Sequence, residues 1–373
     1  MTAADPCAAC LRRAWLLATL APRIERLSDS HGARAPDLLA LDDTALCAAC
    51  GLAEPERAID DAGLLAKREG GNLGRRGIVA ICRHQPAYPQ SLADLETGAP
   101  ATLFARGDLG LLAGTARDRF VAIVGARRCT SYGREAAHEL ALLLAGAGMM
   151  IVSGLAYGID AAAHRGALEA GGATIAVLGS GPDVAYPAGH RELHRRTWER
   201  GLVLSEMPPG FRPFRWSFPA RNRIMAALAG ITVVVEAAER SGSLITARLA
   251  RDLGRDVGAV PGPISSRLSA GANALLADGA AVIRGPQDVL DAILGVGVAN
   301  VPPRTGPALD PELARVLALV EDGLSTADPI AAALELPSHA IAAALTRLEL
   351  AGYLLAGATG AYSRTPLLPP PSG

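Results

Sequence analysis

The chain has 373 residues, half of them hydrophobic, which is enough for two or three domains with a sizeable core. Its formal net charge is −1 at pH 7, so no global field draws it to nucleic acid or to a membrane, and any basic site must be local. No apolar run reaches membrane-spanning length and the N-terminus lacks a signal-peptide core. We therefore expect a soluble cytoplasmic protein without membrane insertion, whose six cysteines form no structural disulfides.

Residues 1–72 predict a small helical domain that contains two C-x-x-C pairs. The pairs are Cys7 with Cys10, and Cys47 with Cys50. Four thiolates in one small domain are typical of a tetrahedral structural zinc site, which is the interpretation we favour. The alternative is that cysteine serves as a small core residue in alanine-rich helices, and the long gap between the pairs weakens the zinc interpretation.

Residues 73–298 alternate strand and helix patterns. The strands are predicted in "RFVAIVGAR", "MMIVSGLA", "ATIAVLGSG", "LVLSEMP", "ITVVVEAA" and "DVGAVPG". Continuous Val/Ile runs separated by helices indicate a parallel sheet covered on both faces. The predicted fold class is α/β, an extended Rossmann-like, doubly wound parallel or mixed sheet.

The remaining chain predicts a linker and a second folded domain. Residues 299–310 form a Pro/Gly linker, and residues 311–365 read as three helices followed by a β-pair, the pattern of a winged helix. Residues 366–373 predict a disordered tail.

The loops that follow the first three predicted strands meet at one edge of the sheet, where ligands of doubly wound folds bind. The first loop, "GARRCTSYG", lacks the dinucleotide fingerprint and has Arg127 where a small residue would stand, which disfavours an NAD site. Three other candidates have ordinary explanations: Cys129 as buried filler, Asp160 as a helix cap and His164 as a core histidine.

The stretch "GFRPFRWSFPARNRIMAALAG" concentrates arginines and aromatic residues. A helix is predicted from Asn222 onward, which places Arg221 and Arg223 in a first turn that repels cations. A bound anion between these arginines and the helix amides would explain the arrangement. The alternative is ion pairing with Glu206 or Glu236.

Two further features bear on an anion site. "SGS", residues 241–243, predicts a helix N-cap with free amides that suit an anion, and ordinary capping is the alternative that would explain this motif by itself. Four aromatic residues could stack on bases or belong to the core, and we expect at least half of them in the core: Phe211, Phe214, Trp216 and Phe218.

Taken together, motifs from about residue 78 to 293 strongly resemble the DNA-processing protein A (DprA/Smf) family. They include "AIVGARRCTSYG", "IVSGLAYGIDAAAHRGAL", "TIAVLGSGPDVAYP", "FPARNRIMAALA" and "VVEAAERSGSLITARLA". The resemblance implies an extended Rossmann fold that binds single-stranded DNA, loads the RecA recombinase onto that strand during natural transformation, and forms a homodimer. It implies no catalytic activity and no cofactor for activity.

The resemblance also implies a set of DNA-binding residues. Arg127 matches the arginine of the family's G-x-R loop, residues 221–223 match its R-N-R, and residues 241–243 match its S-G-S. Many members have a basic residue just after the Tyr-Pro pair, where this chain has Ala188 and Gly189, so Arg191 is the nearest substitute. The full candidate set is Arg127, Ser153, Gly154, Gly179, Ser180, Gly181, Tyr186, Arg191, Arg221, Asn222, Arg223, Ser241, Gly242 and Ser243.

Two other classes of function stay open from the residues. A nucleotide-processing enzyme of the phosphoribohydrolase type would need an acid in the loop "RSGSLITARLA", which offers no carboxylate before Asp252. A transcription factor would use the winged helix, but the candidate recognition helix offers only Arg347 and one histidine as positive groups. We interpret the winged helix as a protein-contact module.

Overall fold

A computed structural model describes residues 5–31, 35–113, 115–300, 306–357, 360–365 and 367–370. The chain divides into two compact units, residues 1–301 and residues 302–373. Parts of the predicted linker (301–305) and of the predicted tail (366 and 371–373) lie outside the described residues.

The first unit is built on one mixed sheet of nine strands. Its strands are β1 Val79–Cys82, β2 Thr102–Gly107, β3 Phe120–Val124, β4 Met150–Ser153, β5 Thr174–Leu178, β6 Leu202–Ser205, β7 Ile231–Val234, β8 Asp256–Ala259 and β9 Ala281–Val282. Their order is β1-β2-β6-β5-β4-β3-β7-β8-β9. The strands β6, β5, β4, β3, β7, β8 and β9 are each parallel to their neighbours in this order. By contrast, β2 pairs antiparallel with β6, and β1 pairs antiparallel with β2. The predicted α/β class is confirmed.

The order of the strands reverses between β3 and β7. From β3 the chain proceeds through β4 and β5 to one side, and from β7 it proceeds through β8 to the other side. Neighbouring loops therefore leave the sheet in opposite directions at this point and open a crevice at the carboxyl ends of β3 and β7.

Eleven helices of the first unit cover this sheet and its antiparallel edge in the described ranges. They are α1 Ala8–His31, α2 Ala35–Leu39, α3 Asp43–Ala49, α4 Pro55–Gly70, α5 Ser131–Gly146, α6 Ile159–Glu169, α7 Arg191–Arg200, α8 Ser217–Leu228, α9 Ser243–Asp252, α10 Ala270–Ala277 and α11 Pro286–Leu294. Short 3₁₀ turns lie at Gly74–Arg76, Gln90–Gly98, Leu109–Leu111, Arg117–Arg119 and Ala188–His190.

The N-terminal helices share a core with the sheet, so the predicted boundary near residue 72 does not separate two bodies. Trp15 of α1 packs edge-on against Phe104 of β2, with ring centroids 5.3 Å apart. The indole of Trp216 donates to the backbone oxygen of Ala21 at 3.1 Å. Because apolar side chains of both parts are buried against each other, helices α1–α4 belong to the first compact unit.

The second unit has the three helices and β-pair of a winged helix, as predicted. These elements are α12 Pro311–Glu321, α13 Ala327–Leu334, α14 Ser338–Leu350, β10 Leu354–Ala356 and β11 Tyr362–Arg364. Their apolar faces meet in a separate hydrophobic cluster that includes the fully buried Tyr353. Across the described ranges no single helix has the length and apolarity to cross a membrane, and α13 with α14, bent by 115°, satisfies those criteria only as a pair.

Candidate functional site

A pocket of about 450 Å³ opens in the crevice between β3 and β7. We call it the switch-point pocket. Loops that follow β3, β4 and β7 supply its walls together with the first half of α8. It brings together seven of the fourteen predicted DNA-binding residues: Arg127, Tyr186, Arg221, Asn222, Ser241, Gly242 and Ser243.

Two cations and two aromatic rings form the mouth of the switch-point pocket. The guanidinium of the exposed Arg127 lies over the ring of Phe218, 5.0 Å from its centroid. The ring of Tyr186, which is 42% exposed, lies 5.2 Å from Phe218. Arg215 also lines the pocket, and its guanidinium is 3.8 Å from the exposed Asp29 carboxylate, too distant for a strong ion pair. The mouth therefore presents positive charge and ring faces to solvent.

The opposite wall of the pocket is the start of α9. This helix begins at Ser243, its N-cap is Gly242, and no side chain caps it. The hydroxyls of Ser241 and Ser243 bond each other at 2.8 Å, and the Ser243 amide lies 3.4 Å from the Ser241 hydroxyl. No partner for the Gly242 amide occurs within the described part of the chain, and a Cβ on Gly242 would meet only open space. The Ser241 amide donates to the Ala238 oxygen at 2.9 Å, so the Gly242 amide is the donor of this turn that is available to an anion.

Arg221 is buried in the floor of the pocket. Its Nη1 donates to the Val177 oxygen at 2.5 Å, its Nε donates to the Asn222 side chain at 3.1 Å, and its Nη2 lies 3.6 Å from Asp160. The guanidinium occupies the space where a side chain on Gly154 would stand, because a Cβ there would lie 1.7 Å from Nη1. Gly154 therefore makes room for an arginine of the protein itself instead of a ligand.

Asp160 is the partner that balances Arg221 in the floor. Its carboxylate accepts hydrogen bonds from the amides of Gly154 at 3.1 Å and Ala156 at 3.4 Å. Burial raises the pKa of Asp160, and the nearby Arg221 guanidinium opposes that shift. The expected capping role is wrong, because the N-cap of α6 is Gly158 without a side-chain cap, and the bonds of Asp160 instead join the loop after β4 to the first turn of α6.

Arg223 does not line the pocket, and its interpretation as a DNA contact is wrong. Its side chain is 2% exposed and its Nη2 bonds both carboxylate oxygens of Glu206, at 2.7 and 2.9 Å. Its other donors bond the backbone oxygens of Gly98 and Ala220, each at 2.8 Å. The Nε, Nη1 and Nη2 atoms of Arg223 therefore all donate to acceptors within the protein, as the ion-pair alternative predicted.

The predicted helix start was also wrong. Helix α8 begins at Ser217, five residues before Asn222, because Pro219 is accommodated in the first turn, where no intrahelical N–H is needed. Arg221 and Arg223 therefore lie in the interior of the helix, and no repulsion by its amino end has to be explained. Glu236, the other acid considered, accepts hydrogen bonds from the amide and hydroxyl of Thr130.

Five further candidates do not face the pocket. The Ser153 and Ser180 hydroxyls are buried and donate to the backbone oxygens of Ile123 and Val184. The predicted phosphate-binding glycines of the loop after β5 pack against protein backbone, because a Cβ would lie 3.0 Å from the Ser217 oxygen at position 179 and 2.5 Å from the Pro208 oxygen at position 181. Gly179, Ser180 and Gly181 therefore support the loop, and the exposed Arg191, at the start of α7, is not part of the pocket wall.

The remaining aromatic and nucleophilic candidates are mostly structural. Phe211 and Trp216 are buried in the cluster shared with the N-terminal helices, and Phe214 packs against it, so that Phe218 remains for the mouth. His164 is buried, bonds Thr174 through Nδ1 at 2.7 Å, and has its pKa lowered to about 3 by burial, by Arg221 and by His190. Cys129 is half-buried against the core, and burial raises its pKa.

The four-cysteine zinc set is also corrected by the structure. Cys47 and Cys50 are buried in a hydrophobic cluster, as the core alternative required. Cys7 and Cys10 instead converge with Cys82 and His84. The C-x-H pattern at the end of β1 was the sequence signal for this pair, and it was missed because β1 itself was not predicted.

Comparisons with known proteins agree with this geometry. A model of the family described as DNA recombination-mediator protein A matches residues 79–294, and a DprA winged helix domain matches residues 300–358. A protein of Mycobacterium tuberculosis (strain H37Rv) is 42% identical over 314 residues, which cover 80% of this chain and 78% of the relative. The X-ray structure of DNA processing protein A from Streptococcus pneumoniae is similar with a TM-score of 0.59 and 32% identity, over 77% of this chain and 98% of that chain.

A second solved structure comes from work on single-stranded DNA binding. It is a study of the single-stranded DNA binding mode of DNA processing protein A from Helicobacter pylori, with a TM-score of 0.52 and 32% identity, and it covers 58% of this chain and 95% of that chain. The fold and the pocket define a Rossmann-like α/β protein whose candidate ligand pocket lies at the switch point of the sheet. The chain belongs to the DNA recombination-mediator protein A family.

Proposed function

We propose that the chain binds single-stranded DNA at the mouth of the switch-point pocket. The observation that carries this proposal is that two exposed guanidiniums, two aromatic rings and the turn of residues 241–243 at the start of α9 surround one opening. We call this turn the amide turn. Single strands are commonly held by a positive groove that follows the phosphates together with aromatic faces that stack on bases. The Helicobacter pylori relative, whose structure addresses this ligand, supports the choice.

In this proposal different groups at the mouth contact the phosphates and the bases of the strand. Arg127 and Arg215 neutralise phosphates, and the Gly242 amide donates a hydrogen bond to a phosphate oxygen at the start of α9. Tyr186 and Phe218 offer the stacking surface. None of these contacts reads a base edge, so we expect little sequence preference.

We further propose that the protein protects an incoming single strand and delivers it to the RecA recombinase during natural transformation, acting as a homodimer without catalysis. The family assignment supports the role of recombination mediator. The pocket supports a binding role, because the acid in its floor, Asp160, is buried and already accepts two amides and faces Arg221. A phosphoribohydrolase-like enzyme would need an acid that reaches its substrate.

A binding assay tests the proposal. A labelled single-stranded oligonucleotide, the corresponding duplex and mononucleotides are titrated at two salt concentrations with the wild type, with Arg127→Ala, and with Arg165→Ala as an exposed control on α6 outside the pocket wall. We expect the single strand to bind tightest, and Arg127→Ala to weaken all single-strand sequences alike and to flatten the slope of log affinity against log salt by about 0.7. Equal binding of duplex, or tight mononucleotide binding that Arg127→Ala leaves intact, would refute the proposal.

The proposed recombinase step needs its own measurement. RecA filament formation on a single strand is followed with and without the chain, and the chain is expected to accelerate it. Arg127→Ala should lose the acceleration together with DNA affinity. A chain that binds the strand normally but does not change filament formation would separate the two roles and remove the loading step.

A further inference from the structure

Four metal-ligating side chains converge at the antiparallel edge of the sheet, away from the residues that line the switch-point pocket. Cys7 immediately precedes α1 and Cys10 lies in its first turn, a spacing that places both thiols on one side of the helix. Cys82 ends β1, and His84 follows it by two residues in the next turn. The ligand atoms of all four residues lie within 4.8 Å of one another.

The two sulfur–nitrogen distances at His84 match those of a tetrahedral metal site. The Nδ1 atom of His84 lies 3.5 Å from the Sγ atoms of both Cys7 and Cys10. With Zn–S bonds of about 2.3 Å and a Zn–N bond of about 2.05 Å, tetrahedral geometry separates sulfur from nitrogen by about 3.5 Å.

We propose that Cys7, Cys10, Cys82 and His84 bind one Zn²⁺ ion. Three thiolates and one imidazole form a closed set of soft and borderline ligands, which selects zinc over magnesium or calcium. A closed four-ligand set leaves no position for a substrate, so the site is structural. Cys10 and Cys82 are buried while His84 is exposed, which leaves the ion a path of entry from the solvent side.

The ion would join two distant parts of the chain. Cys10 and His84 are 74 residues apart in sequence, and the cluster connects the start of α1 to the end of β1. Closing so long a loop restricts the unfolded chain, and a metal held by both segments stabilises the folded state by its binding free energy. The inference therefore explains how the N-terminal helices are fixed to the sheet, and it does not depend on the DNA proposal.

Metal analysis of the full chain tests the inference. The protein is purified without added metal, its zinc content is measured per chain, and Co²⁺ is then substituted to record the absorption bands of tetrahedral thiolate coordination. We expect one zinc per chain and clear cobalt bands for the wild type. Cys82→Ser should lose both, and the exposed His84→Ala, which should fold, should surrender zinc to a competing chelator at least about tenfold more easily.

The matched control is the other cysteine pair. Cys47→Ala with Cys50→Ala removes the ligands that the sequence pattern alone suggested, and this variant should keep one zinc and the cobalt bands. Less than half an equivalent of zinc in the wild type without cobalt bands, full zinc retention by both Cys82→Ser and His84→Ala, or loss of zinc in the folded control would each overturn the inference.

Discussion

The mouth of the switch-point pocket and the interior of helix α8 hold the same residue type in opposite roles. Arg127 and Arg215 project from loops, lie at the opening and have no strong ion pair in the described chain. Arg221 and Arg223, six and eight residues beyond Arg215, are buried and bonded to protein acceptors. The number of internal acceptors therefore decides whether an arginine is available to a ligand, and a basic motif alone does not.

The two buried arginines also differ from each other. Arg223 has a bidentate carboxylate and two backbone oxygens, so its charge is fully compensated. Arg221 has a carboxylate only at 3.6 Å and lines the pocket floor, and burial lowers its pKa. We therefore interpret Arg223 as purely structural, and Arg221 as a residue of the pocket floor whose charge is only loosely paired with Asp160 and which does not reach out of the pocket.

The variant Arg223→Ala tests whether the buried ion pair between Arg223 and Glu206 is structural, and it should cost the most stability. The change leaves Glu206 buried without its partner, and breaking a buried ion pair in this way costs about 3–5 kcal/mol of the free energy of unfolding. Denaturant unfolding with Arg165→Ala as exposed control measures it. Adding Glu206→Gln to Arg223→Ala should recover part of the loss, because the unpaired charge disappears. A loss below about 1 kcal/mol would mean that the pair is solvated.

The next prediction concerns pH and the buried His164, which packs near Arg221. Its pKa is about 3 in the folded chain against an ordinary 6.5, so the unfolded chain binds one more proton between these values. The free energy of unfolding should therefore fall as the pH drops below 6.5, by about 2 kcal/mol from this group at pH 5, and should not depend on it above 6.5.

Unfolding measured from pH 7.5 to pH 5 in the wild type and in His164→Gln checks this expectation. The readout is the slope of the free energy of unfolding against pH, since the substitution also changes the overall stability. Part of the slope should remain, because burial also lowers the pKa of His194. If the slope is the same in His164→Gln as in the wild type, His164 does not cause the pH dependence. The imidazole would then be protonated inside the folded core.

The sequence was most informative where burial is continuous along a strand. The strands from β3 to β8 were all predicted because a strand covered on both faces reads as an uninterrupted apolar run. The edge strands β1 and β9 were missed, because short edge strands carry little apolar periodicity, and the interior antiparallel strand β2 was missed as well.

The site was predicted only in part, because its details depend on contacts between distant residues. The loops that carry Arg127 and residues 241–243 were placed at the correct edge by the strand pattern alone. The acceptors of Arg223 lie 17 and 125 residues away in sequence, so a local window cannot weigh them against a ligand. The same holds for the convergence of Cys82 and His84 on the first cysteine pair.

The variant Arg215→Ala is a weaker perturbation, and it tests whether an arginine at the mouth of the switch-point pocket is available to a phosphate. Its nearest carboxylate in the described chain is exposed and 3.8 Å away, so we expect almost no loss of stability. If Arg215 neutralises a phosphate, single-strand affinity should fall by up to about tenfold, and the salt slope should flatten by about 0.7. Normal affinity and an unchanged slope would restrict the mouth to Arg127 and the amide turn.

The smallest effect is expected from removing the chain after Asn300, which takes away the winged helix. Between residues 306 and 370 this unit has three arginines against seven carboxylates, so its field repels phosphates. Two of these arginines are already paired, Arg347 with Asp310 at 2.7 Å and Arg364 with Glu321 at 2.6 Å. Each unit has its own hydrophobic core, so the first unit should stay folded. Single-strand affinity and salt slope should therefore be nearly those of the whole chain in the same titration. A loss above about tenfold, or about 1.4 kcal/mol, would instead make the winged helix a second DNA site, with Arg315 as its first candidate contact.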